Sequence, residues 1–249
     1  MIRYAAITQK GGAKERNEDR VVVSGNFISE GELQGDTKGS LLAVLCDGVG
    51  GESFGAEAAE ISSMSFLPLC ENKFSAIDVT SAVIDANKAV KKLQTTDKSH
   101  RYMASTIVGV SIQDGQFIVF NLGDSRAYLF NGDELTQLSQ DHTQAQQLVD
   151  SGQSDCAEEV TKQMQNAVTR YIGGIGNASV AALKFGRAEC TTCFLLCSDG
   201  LYKKLSSLEI IEHLKGAASP LEKCRAALDH AVKNGSDDDI SIILVEICA

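Results

Sequence analysis

The chain has 249 residues, of which 43% are hydrophobic and 22% charged, with two prolines. This composition is typical of a packed globular protein and excludes a collagen-like or disordered chain. The formal net charge is −10 and no basic run occurs, so no nucleic-acid partner is expected. No stretch approaches the roughly 18 apolar residues that span a bilayer, and residues 1–4 do not start a signal peptide. We therefore expect a cytoplasmic protein without a membrane partner.

The pattern of apolar residues predicts a single domain, residues 1–249. Periodicity continues from Tyr4 to Ile247 without an internal repeat, a low-complexity tract or a Pro/Ser-rich linker. The eight cysteines mostly lie in apolar runs, where Cys acts as a small hydrophobe, so we expect reduced thiols. Cys190 and Cys193 have the spacing of half a zinc site, but no second pair follows at the spacing of a zinc finger.

The first elements along the chain are two strands and two helices. Strands are predicted at 21–23 and 41–46, the second apolar throughout and therefore buried on both faces. It ends in the glycine-rich sequence Asp47-Gly-Val-Gly-Gly51. Apolar residues then recur at helical spacing over 54–65 and 79–93, which predicts two helices.

Two hairpins follow. Asp114-Gly115 separates the apolar segments 104–112 and 116–122, and Asp-Gly between such segments is a strong signal for a tight turn. Asn131-Gly132 joins 126–130 to 134–136 in the same way. We expect the two hairpins to form one antiparallel meander.

The last third of the chain begins with a polar segment, 143–170, which is helix-like but weakly periodic and is a candidate for a mobile flap. Strands and helices come in blocks, which favours an α+β fold over a doubly wound parallel sheet. The remaining pattern predicts, in chain order, strands at 180–185 and 193–197, helices at 208–214 and 221–231, and a closing strand at 240–245.

Acidic residues interrupt the strand pattern at comparable places. Asp-Gly occurs three times, and at Asp114 it is a hairpin turn. Asp47 and Asp199 instead follow apolar strands that are buried, where an ionised carboxylate is costly without a cation or hydrogen-bond donors. Further acids stand at strand edges: Glu18, Asp19, Asp124 and Asp237-Asp238-Asp239.

Hard divalent ions are the cations that best fit such a set. Mg²⁺ and Mn²⁺ take oxygen ligands and keep bound waters, so sites rich in Asp and poor in His suit them. The chain has four histidines and none stands in an HxH or HExxH pattern. Each single acid could be a solvated turn or helix cap, but the whole set predicts a metal site.

A series of short motifs extends over nearly the entire chain. The motifs are Asn17-Glu-Asp-Arg20, Cys46-Asp-Gly-Val-Gly-Gly51, Met103-Ala-Ser-Thr106, Asn121-Leu-Gly-Asp-Ser-Arg-Ala127, Leu138-Ser-Gln-Asp-His-Thr143, Ala167-Val-Thr-Arg-Tyr-Ile-Gly173, Cys197-Ser-Asp-Gly-Leu201 and Gly235-Ser-Asp-Asp-Asp-Ile-Ser241. One glycine-rich turn would be weak evidence, whereas this many motifs in one order and at compatible separations are specific. Their order resembles the protein phosphatase 2C (PP2C, PPM) family.

The resemblance, which is to bacterial members with a stand-alone catalytic domain, implies a four-layer α-β-β-α sandwich of two packed antiparallel sheets. It also implies a cleft that binds two Mn²⁺ or Mg²⁺ ions, with a third ion in some members. The residue roles carried over are Asp47 bridging both ions, Gly48 offering its carbonyl to one, Asp199 and Asp238 completing the other, Glu18 acting through water, Asp19 supporting the site and Asp124 helping to bind the third ion.

Two positions depart from the family pattern. Family members usually carry Arg where this chain has Lys14, and Lys supplies charge without the planar fork of Arg. We expect either Lys14 or Arg16 to contact the substrate phosphate. The closing motif usually reads Asp-Asn, whereas Asp238 is followed here by Asp239, whose charge either tightens metal binding or gives Asp239 the ligand role.

The resemblance implies a protein serine/threonine phosphatase, in which a metal-activated water attacks the phosphoryl group directly. No Cys, Ser or His nucleophile is then required. Lys14 and Asp239 motivate one alternative, a weakly active or inactive regulatory binding module of the same fold. A small-molecule phosphoesterase is another, because the same ions would serve it. The expected partners are phosphorylated proteins and a cognate Ser/Thr kinase, and a monomer is expected.

Overall fold

The structure is a computed structural model, which describes residues 1–12, 14–49, 54–70, 75–174, 182–188 and 192–248. The strands are β1 (Ile2–Gln9), β2 (Arg20–Val23), β3 (Asn26–Ile28), β4 (Gly31–Thr37), β5 (Ser40–Cys46), β6 (Gly48–Val49), β7 (Ala104–Ser105), β8 (Ile107–Gln113), β9 (Gln116–Leu122), β10 (Arg126–Phe130), β11 (Leu135–Gln137), β12 (Ala182–Arg187), β13 (Cys193–Cys197) and β14 (Ile240–Ile247). The α-helices are α1 (Phe54–Met64), α2 (Ala76–Thr96), α3 (Gln144–Asp150), α4 (Lys162–Asn166), α5 (Asp199–Tyr202), α6 (Ser207–Leu214) and α7 (Pro220–Lys233).

Two antiparallel sheets form the centre of this fold. Within the described residues, sheet A has the order β11-β10-β13-β14-β1-β4 and sheet B the order β12-β9-β8-β5-β2-β3. Apolar side chains from both sheets, such as Ala43 and Leu196, share one core between them. The outer face of sheet A packs against α5 to α7, and that of sheet B against α1 and α2. The predicted α-β-β-α sandwich is therefore confirmed.

The central strand β5 shows why both faces of a sheet can be apolar. Ala43 and Leu45 point into the core between the sheets, while Val44 and Cys46 pack against the helices. All four are fully buried, because successive side chains of a strand point to opposite faces and both faces are covered. The prediction for segment 41–46 is confirmed.

Helices α2, α6 and α7 are each preceded by a serine residue that caps the helix. In each case the serine side chain accepts a hydrogen bond from the backbone three residues on, and an acid there bonds back. This capping box satisfies backbone N–H groups that would otherwise have no partner. The pairs are Ser75 with Asp78 for α2, Ser206 with Glu209 for α6, and Ser219 with Glu222 for α7.

The prediction that the two hairpins form one meander is wrong. The hairpin β8–β9 turns at Asp114-Gly115, whose positive φ angles of 51° and 75° fit the expected tight turn. However, β8 and β9 belong to sheet B, whereas β10 and β11 belong to sheet A. The chain passes from one sheet to the other after β9, at Gly123, whose φ of 119° favours glycine.

Other sequence predictions have mixed outcomes. The helices around 54–65, 79–93, 208–214 and 221–231 and the strands β13 and β14 are confirmed. The strand expected at 180–185 is observed as β12, and Val180 lies outside the described residues. The polar segment 143–170 contains α3 and α4, and its role as a flap remains a prediction.

The sequence patterns did not predict β1 and β4, although β1 lies near the middle of sheet A. The edge strand β4 contains polar residues and is largely exposed, so its pattern does not differ from that of a loop. Cys190 lies outside the described residues, and Cys193 is a free, buried thiol in β13. In the part of the chain that the structure describes, no helix combines the length and apolar content needed to cross a bilayer.

The Phe66–Phe120 pair gives a test of the packing between the segment that follows α1 and sheet B. Both side chains are fully buried, and their rings stack with centroids 5.4 Å apart. We expect Phe66→Ala to lower the free energy of unfolding by about 3–5 kcal/mol, because it leaves a cavity. Urea denaturation would measure this. Ile77→Ala in α2 is the control, since Ile77 is 76% exposed and its loss should cost about 0.5 kcal/mol or less. Equal losses would contradict the packing described here.

Candidate metal centre

The acids that the sequence singled out lie at one end of the sandwich. Neighbouring strands run antiparallel, so β2 begins beside the end of β5, and β14 begins beside the end of β13. A residue that follows one strand and a residue that precedes its neighbour in the sheet therefore meet at the same end of the sheet. Asp47 and Asp199 follow β5 and β13, whereas Asp19 and Asp239 precede β2 and β14.

Asp47 is held by a residue that interrupts a strand. Thr106 lies between β7 and β8, and its backbone N–H donates to the Asp47 carbonyl at 2.8 Å. The Asp47 N–H donates to the Thr106 hydroxyl at 3.1 Å. That hydroxyl also lies 2.7 Å from the hydroxyl of Ser125. Thr106 thus fixes the backbone of Asp47 and connects it to the turn that carries Asp124.

The turn before Asp124 is fixed by a histidine. The Gly123 N–H donates to Nδ1 of His142 at 3.0 Å, and the His142 N–H donates to the Gly123 carbonyl at 3.0 Å. Burial lowers the pKa of His142 to about 4, and the charge of Arg170 adds to this shift. The ring is therefore neutral near pH 7, and its Nδ1 stays available as an acceptor.

Asp199 is the first residue of α5, which is anchored by an aromatic contact. The Arg126 guanidinium lies over the ring of Tyr202, 3.8 Å from its centroid. Asp141 holds the same guanidinium, with a shortest N–O distance of 2.7 Å. Because Tyr202 ends α5, this stack fixes the short helix and with it the position of Asp199.

Two lysine ammonium groups contact the predicted ligands. Lys203 Nζ lies 2.6 Å from Asp199 Oδ2, and Lys14 Nζ lies 2.5 Å from Asp238 Oδ1. Lys14 Nζ is also 3.0 Å from Asp239 Oδ2. Although burial opposes it, contact with these carboxylates raises the pKa values of Lys14 and Lys203 above their usual range. Both side chains therefore remain cationic.

The three consecutive acids before β14 differ in exposure. The side chain of Asp237 is 88% exposed and lies 3.8 Å from Lys204. The Asp238 side chain is 45% exposed, whereas that of Asp239 is 2% exposed. Only Asp238 and Asp239 face the loop that carries Lys14.

Buried carboxylate oxygens without a partner indicate where a cation would fit. Among the described residues, no hydrogen bond of normal geometry reaches either carboxylate oxygen of Asp19 or Oε1 of Glu18, although the Ser241 and Ser198 hydroxyls lie close to Asp19. Asp19 is only 1% exposed, and a buried oxygen with no donor is costly. Hard cations bind such oxygens. The residues present therefore fit the ions that the fold implies.

The carboxylates are close enough to affect one another's ionisation. Burial raises the pKa of Asp19 to about 7, and the charges of Asp239 and Asp199 raise it further. Burial also raises the pKa of Asp124 to about 7, with a contribution from Asp199. The pKa of Asp47 is well above its usual range, first because of burial and then because of Asp19 and Asp199. A cation would relieve this repulsion.

The predicted carbonyl ligand Gly48 lies against the first turn of α1. A Cβ on Gly48 would overlap the backbone of Gly55, and a Cβ on Gly55 would lie 2.7 Å from Glu18 Oε1. Neither glycine can accept a side chain without displacing its neighbours. The close approach brings β6, α1 and the Glu18 carboxylate together.

The arrangement differs from a closed metal cage. Within the described part of the chain, no three groups from His, Cys, Asp and Glu converge closely enough to hold an ion alone. Mg²⁺ sites commonly use one or two carboxylates and several waters, so an open set is compatible with such ions. Arg16 is exposed, and no described carboxylate lies within ion-pair distance of it, so its predicted phosphate contact remains a prediction.

Sequence reasoning missed the residues that hold the acids in place. Thr106 and His142 lie within motifs that were recognised, but no role followed from their spacing. Thr106 could have been suspected because a polar residue interrupts an apolar strand next to Ser105. His142 gave no such signal, since its partner Gly123 is defined only by the turn in the folded chain.

Comparison with known proteins shows that the sequence and fold of this chain are those of a recognised protein family. The protein phosphatase 2C family profile matches residues 29–234. A probable protein phosphatase 2C of Arabidopsis thaliana is 30% identical over 267 residues, which cover 96% of this chain and 66% of that protein. The chain belongs to the protein phosphatase 2C family.

Bacterial relatives match nearly the full chain. The serine/threonine phosphatase stp of Listeria innocua is 24% identical, and the match covers 96% of this chain and 93% of that protein. The serine/threonine protein phosphatase PstP of Mycobacterium tuberculosis is 25% identical over 99% of this chain. The chain spans 45% of the length of PstP.

Solved structures share the fold. The Stp1 phosphatase of Staphylococcus aureus has a TM-score of 0.87 at 25% identity, and the match covers 100% of this chain and 96% of that one. The catalytic domain of PstP in complex with two manganese ions has a TM-score of 0.83 at 24% identity, over 100% of this chain and 99% of that one.

Asp19→Asn tests the cost of the crowded carboxylates. Folding raises the pKa of Asp19 above its unfolded value of about 4, so the folded state binds more protons and stability falls as pH rises from about 4 to 7. At pH 8 in chelator Asp19 is mostly ionised, so its burial and its repulsion from the neighbouring acids destabilise the fold most. Under these conditions Asp19→Asn should raise the thermal midpoint, by about 2–4 °C for each kcal/mol of destabilisation that it removes. The gain should be smaller at pH 5.

Thermal unfolding at both pH values would measure this effect. Asp133→Asn is the control, because that carboxylate is 99% exposed and its loss should leave the midpoint unchanged. A lower midpoint for Asp19→Asn than for the wild type at pH 8 would contradict the prediction.

Lys203→Gln tests whether Lys203 competes with metal ions. The Lys203 ammonium contacts Asp199 and lies near Asp124 and Asp47, so it opposes a cation at the same oxygens. Replacing it with neutral Gln should tighten Mn²⁺ binding by about 3–10-fold at low salt, as titration calorimetry would show. Lys204→Gln is the matched control, since Lys204 contacts the exposed Asp237 instead. Unchanged or weaker affinity in Lys203→Gln would refute the idea.

Proposed function

We propose that the protein hydrolyses phosphoserine and phosphothreonine in other proteins with two divalent cations, Mn²⁺ or Mg²⁺. The observation that carries the proposal is the set of buried carboxylate oxygens on Asp19 and Glu18 that have no partner among the described residues. They lie where further acids raise one another's pKa values. Such a site is stable when charged only if cations bind there. The phosphatase names of the family relatives support the same function.

The ligands that we assign follow the positions of the acids. Asp47 would contact both ions, the Gly48 carbonyl would contact one, and Asp199 and Asp238 would contact the other. Glu18 would act through water, with Asp19 behind it. Asp124 would help to bind a third ion; it is 5% exposed, and the nearby charge of Asp199 contributes to raising its pKa. The two manganese ions in the PstP structure support a site for two ions.

When bound, the ions supply a water of lowered pKa and offset the charge of the phosphoryl group. The chain supplies the remaining functions. Lys14 is cationic and lies beside Asp238, where it can donate to a phosphoryl oxygen. Arg16 in the same exposed loop is a second candidate for that contact.

A cavity of the protein beside the acids is suitable for the phosphorylated segment of the substrate. It measures about 470 Å³ and lies between segment 143–166 and α5. Its lining contains Lys162, Lys203 and Lys204 together with the acids Asp141, Asp199, Asp237 and Asp238, so cationic groups lie next to the proposed metal ligands. A larger groove, about 590 Å³, lies beside Asp114 at the other end of sheet B, and among the described residues Asp114 is its only acid. Segment 143–170 would act as the flap over the smaller cavity.

The setting that we propose is a cytoplasmic, monomeric, single-domain enzyme. Its substrates would be phosphorylated proteins, and it would reverse the action of a cognate Ser/Thr kinase. The stp phosphatase of Listeria innocua, which matches 96% of this chain over 93% of its own length, supports the proposed phosphatase activity.

The function can be tested at the three Asp-Gly sequences of the chain. Asp47→Asn and Asp199→Asn each remove a proposed ligand, so we expect phosphothreonine peptide turnover in Mn²⁺ to fall by about 100-fold or more, equivalent to at least about 2.7 kcal/mol. Asp114→Asn changes the same dipeptide in the β8–β9 hairpin, where Asn-Gly also suits the turn. It should retain wild-type turnover.

Phosphate release would be measured with Mn²⁺, Mg²⁺ or chelator, on phosphothreonine and phosphotyrosine peptides and on a nucleotide. Turnover of phosphothreonine that requires metal and is lost in both ligand variants is the expected result. Wild-type protein that binds Mn²⁺ but hydrolyses nothing would instead indicate a regulatory binding module. Preference for the nucleotide would indicate a small-molecule phosphoesterase.

A further inference from the structure

The loop before β2, residues 10–12 and 14–19, lies directly against the turn before β14. A Cβ on Gly11 would overlap the carbonyl oxygen of Asp237 and lie 2.9 Å from the carbonyl oxygen of Asp238. The loop and the turn therefore touch through their backbones. The loop carries Lys14, Glu18 and Asp19, so its position determines where these side chains lie relative to Asp238.

A single carboxylate connects the two ends of this loop to the turn. Oδ1 of Asp239 accepts from the Gly11 N–H at 2.8 Å, and Oδ2 accepts from the Glu18 N–H at 2.8 Å. Lys14 Nζ also donates to Oδ2, at 3.0 Å. Asp239 is 2% exposed, so water cannot replace these donors. Gly11 lies near the start of the loop and Glu18 near its end, so Asp239 holds both ends.

The chemistry of these contacts requires a carboxylate. Each oxygen of Asp239 accepts from a backbone N–H, whereas an Asn side chain has one acceptor oxygen and one donor NH₂ group. An Asn at position 239 would direct that NH₂ group at the N–H of Gly11 or Glu18. It would also leave the Lys14 ammonium with one counter-charge fewer in a partly buried site.

The same contacts leave little capacity for a metal ion at Asp239. Three donors already surround its two oxygens, and one of them is a cation. Asp238 is different, because its side chain is 45% exposed. Lys14 and Asp239, the two positions at which the sequence departs from the family pattern, are thus in contact with each other.

We propose that Asp239 is a positioning residue and not a metal ligand. Its carboxylate holds the loop of Gly11 to Glu18 against the turn before β14, and thereby fixes Lys14 and Glu18 beside Asp238. The importance of this placement for phosphate binding rests on the proposed phosphatase function. The hydrogen bonds to Gly11 and Glu18 do not, so the two ideas can fail separately.

Amide hydrogen exchange, measured by NMR in chelator, tests the contacts themselves. In Asp239→Asn, the Gly11 and Glu18 amides should exchange at least about tenfold faster than in the wild type, because local opening no longer breaks a hydrogen bond to a carboxylate. The Asp237→Asn variant removes the same charge two residues away, from a side chain that is 88% exposed, and should leave both rates unchanged. Unchanged rates in Asp239→Asn would overturn the proposal.

The wild type provides a measurement that does not depend on the variant folding. Its Gly11 and Glu18 amides should be protected, whereas the amides of Gly12 and Glu15 in the same loop should exchange freely. Equal exchange at all four would overturn the proposal. In the variant, retained protection of the Ile242 amide in β14 would show that the fold persists.

Metal binding and kinetics separate positioning from ligation. With Asp239→Asn, the phosphopeptide KM should rise and the Mn²⁺ dissociation constant, by calorimetry, should rise less than with Asp199→Asn. An increase as large as that of Asp199→Asn, together with unchanged amide exchange, would make Asp239 a ligand and refute the proposal. If the wild type hydrolyses no phosphopeptide, the proposed function fails while amide exchange still decides the role of Asp239.

Discussion

Electrostatic repulsion among buried carboxylates is the constraint on which this structure depends. Asp19, Asp47 and Asp124 all have pKa values raised first by burial, and each is further affected by neighbouring acids. Without counter-charges such a cluster would favour unfolding or protonation. The chain meets this cost with Lys14 and Lys203, which contact Asp238 and Asp199, whereas oxygens of Asp19 and Glu18 have no hydrogen-bond partner among the described residues.

The remainder of the fold keeps these acids from moving apart. The two sheets bury a continuous apolar core, and the helices cover both outer faces. Side chains outside the acidic set then fix the loops. Thr106 holds Asp47, His142 holds the turn of Asp124, and the stack of Arg126 on Tyr202 holds Asp199. The fold tolerates the repulsion among the carboxylates of the cleft because packing elsewhere supplies the stability of the folded state.

The sequence predicted the parts of the fold and site that have local signals. Asp47 and Asp199 could be recognised because each follows an apolar run, and the Asp114 hairpin because its turn chemistry is local. The meander was wrong because the pattern of β10 is the same in either sheet, and only the conformation at Gly123 decides. The three donors to Asp239 could not be predicted, since Gly11 and Glu18 lie more than 200 residues away along the chain.

The acids come from both sheets. Asp47 and Asp19 extend from sheet B, while Asp199 and Asp238 extend from sheet A, and a mainly apolar core separates the two layers. Sheets pack about 10 Å apart, with a spacing set by the size of the side chains between them. The thickness of the core between the sheets therefore influences the distance across the cleft between acids of sheet A and acids of sheet B. Residues such as Phe194 and Leu45, which lie in this core, therefore influence the distance between the acids of the two sheets, and core substitutions can change that distance while every carboxylate stays in place.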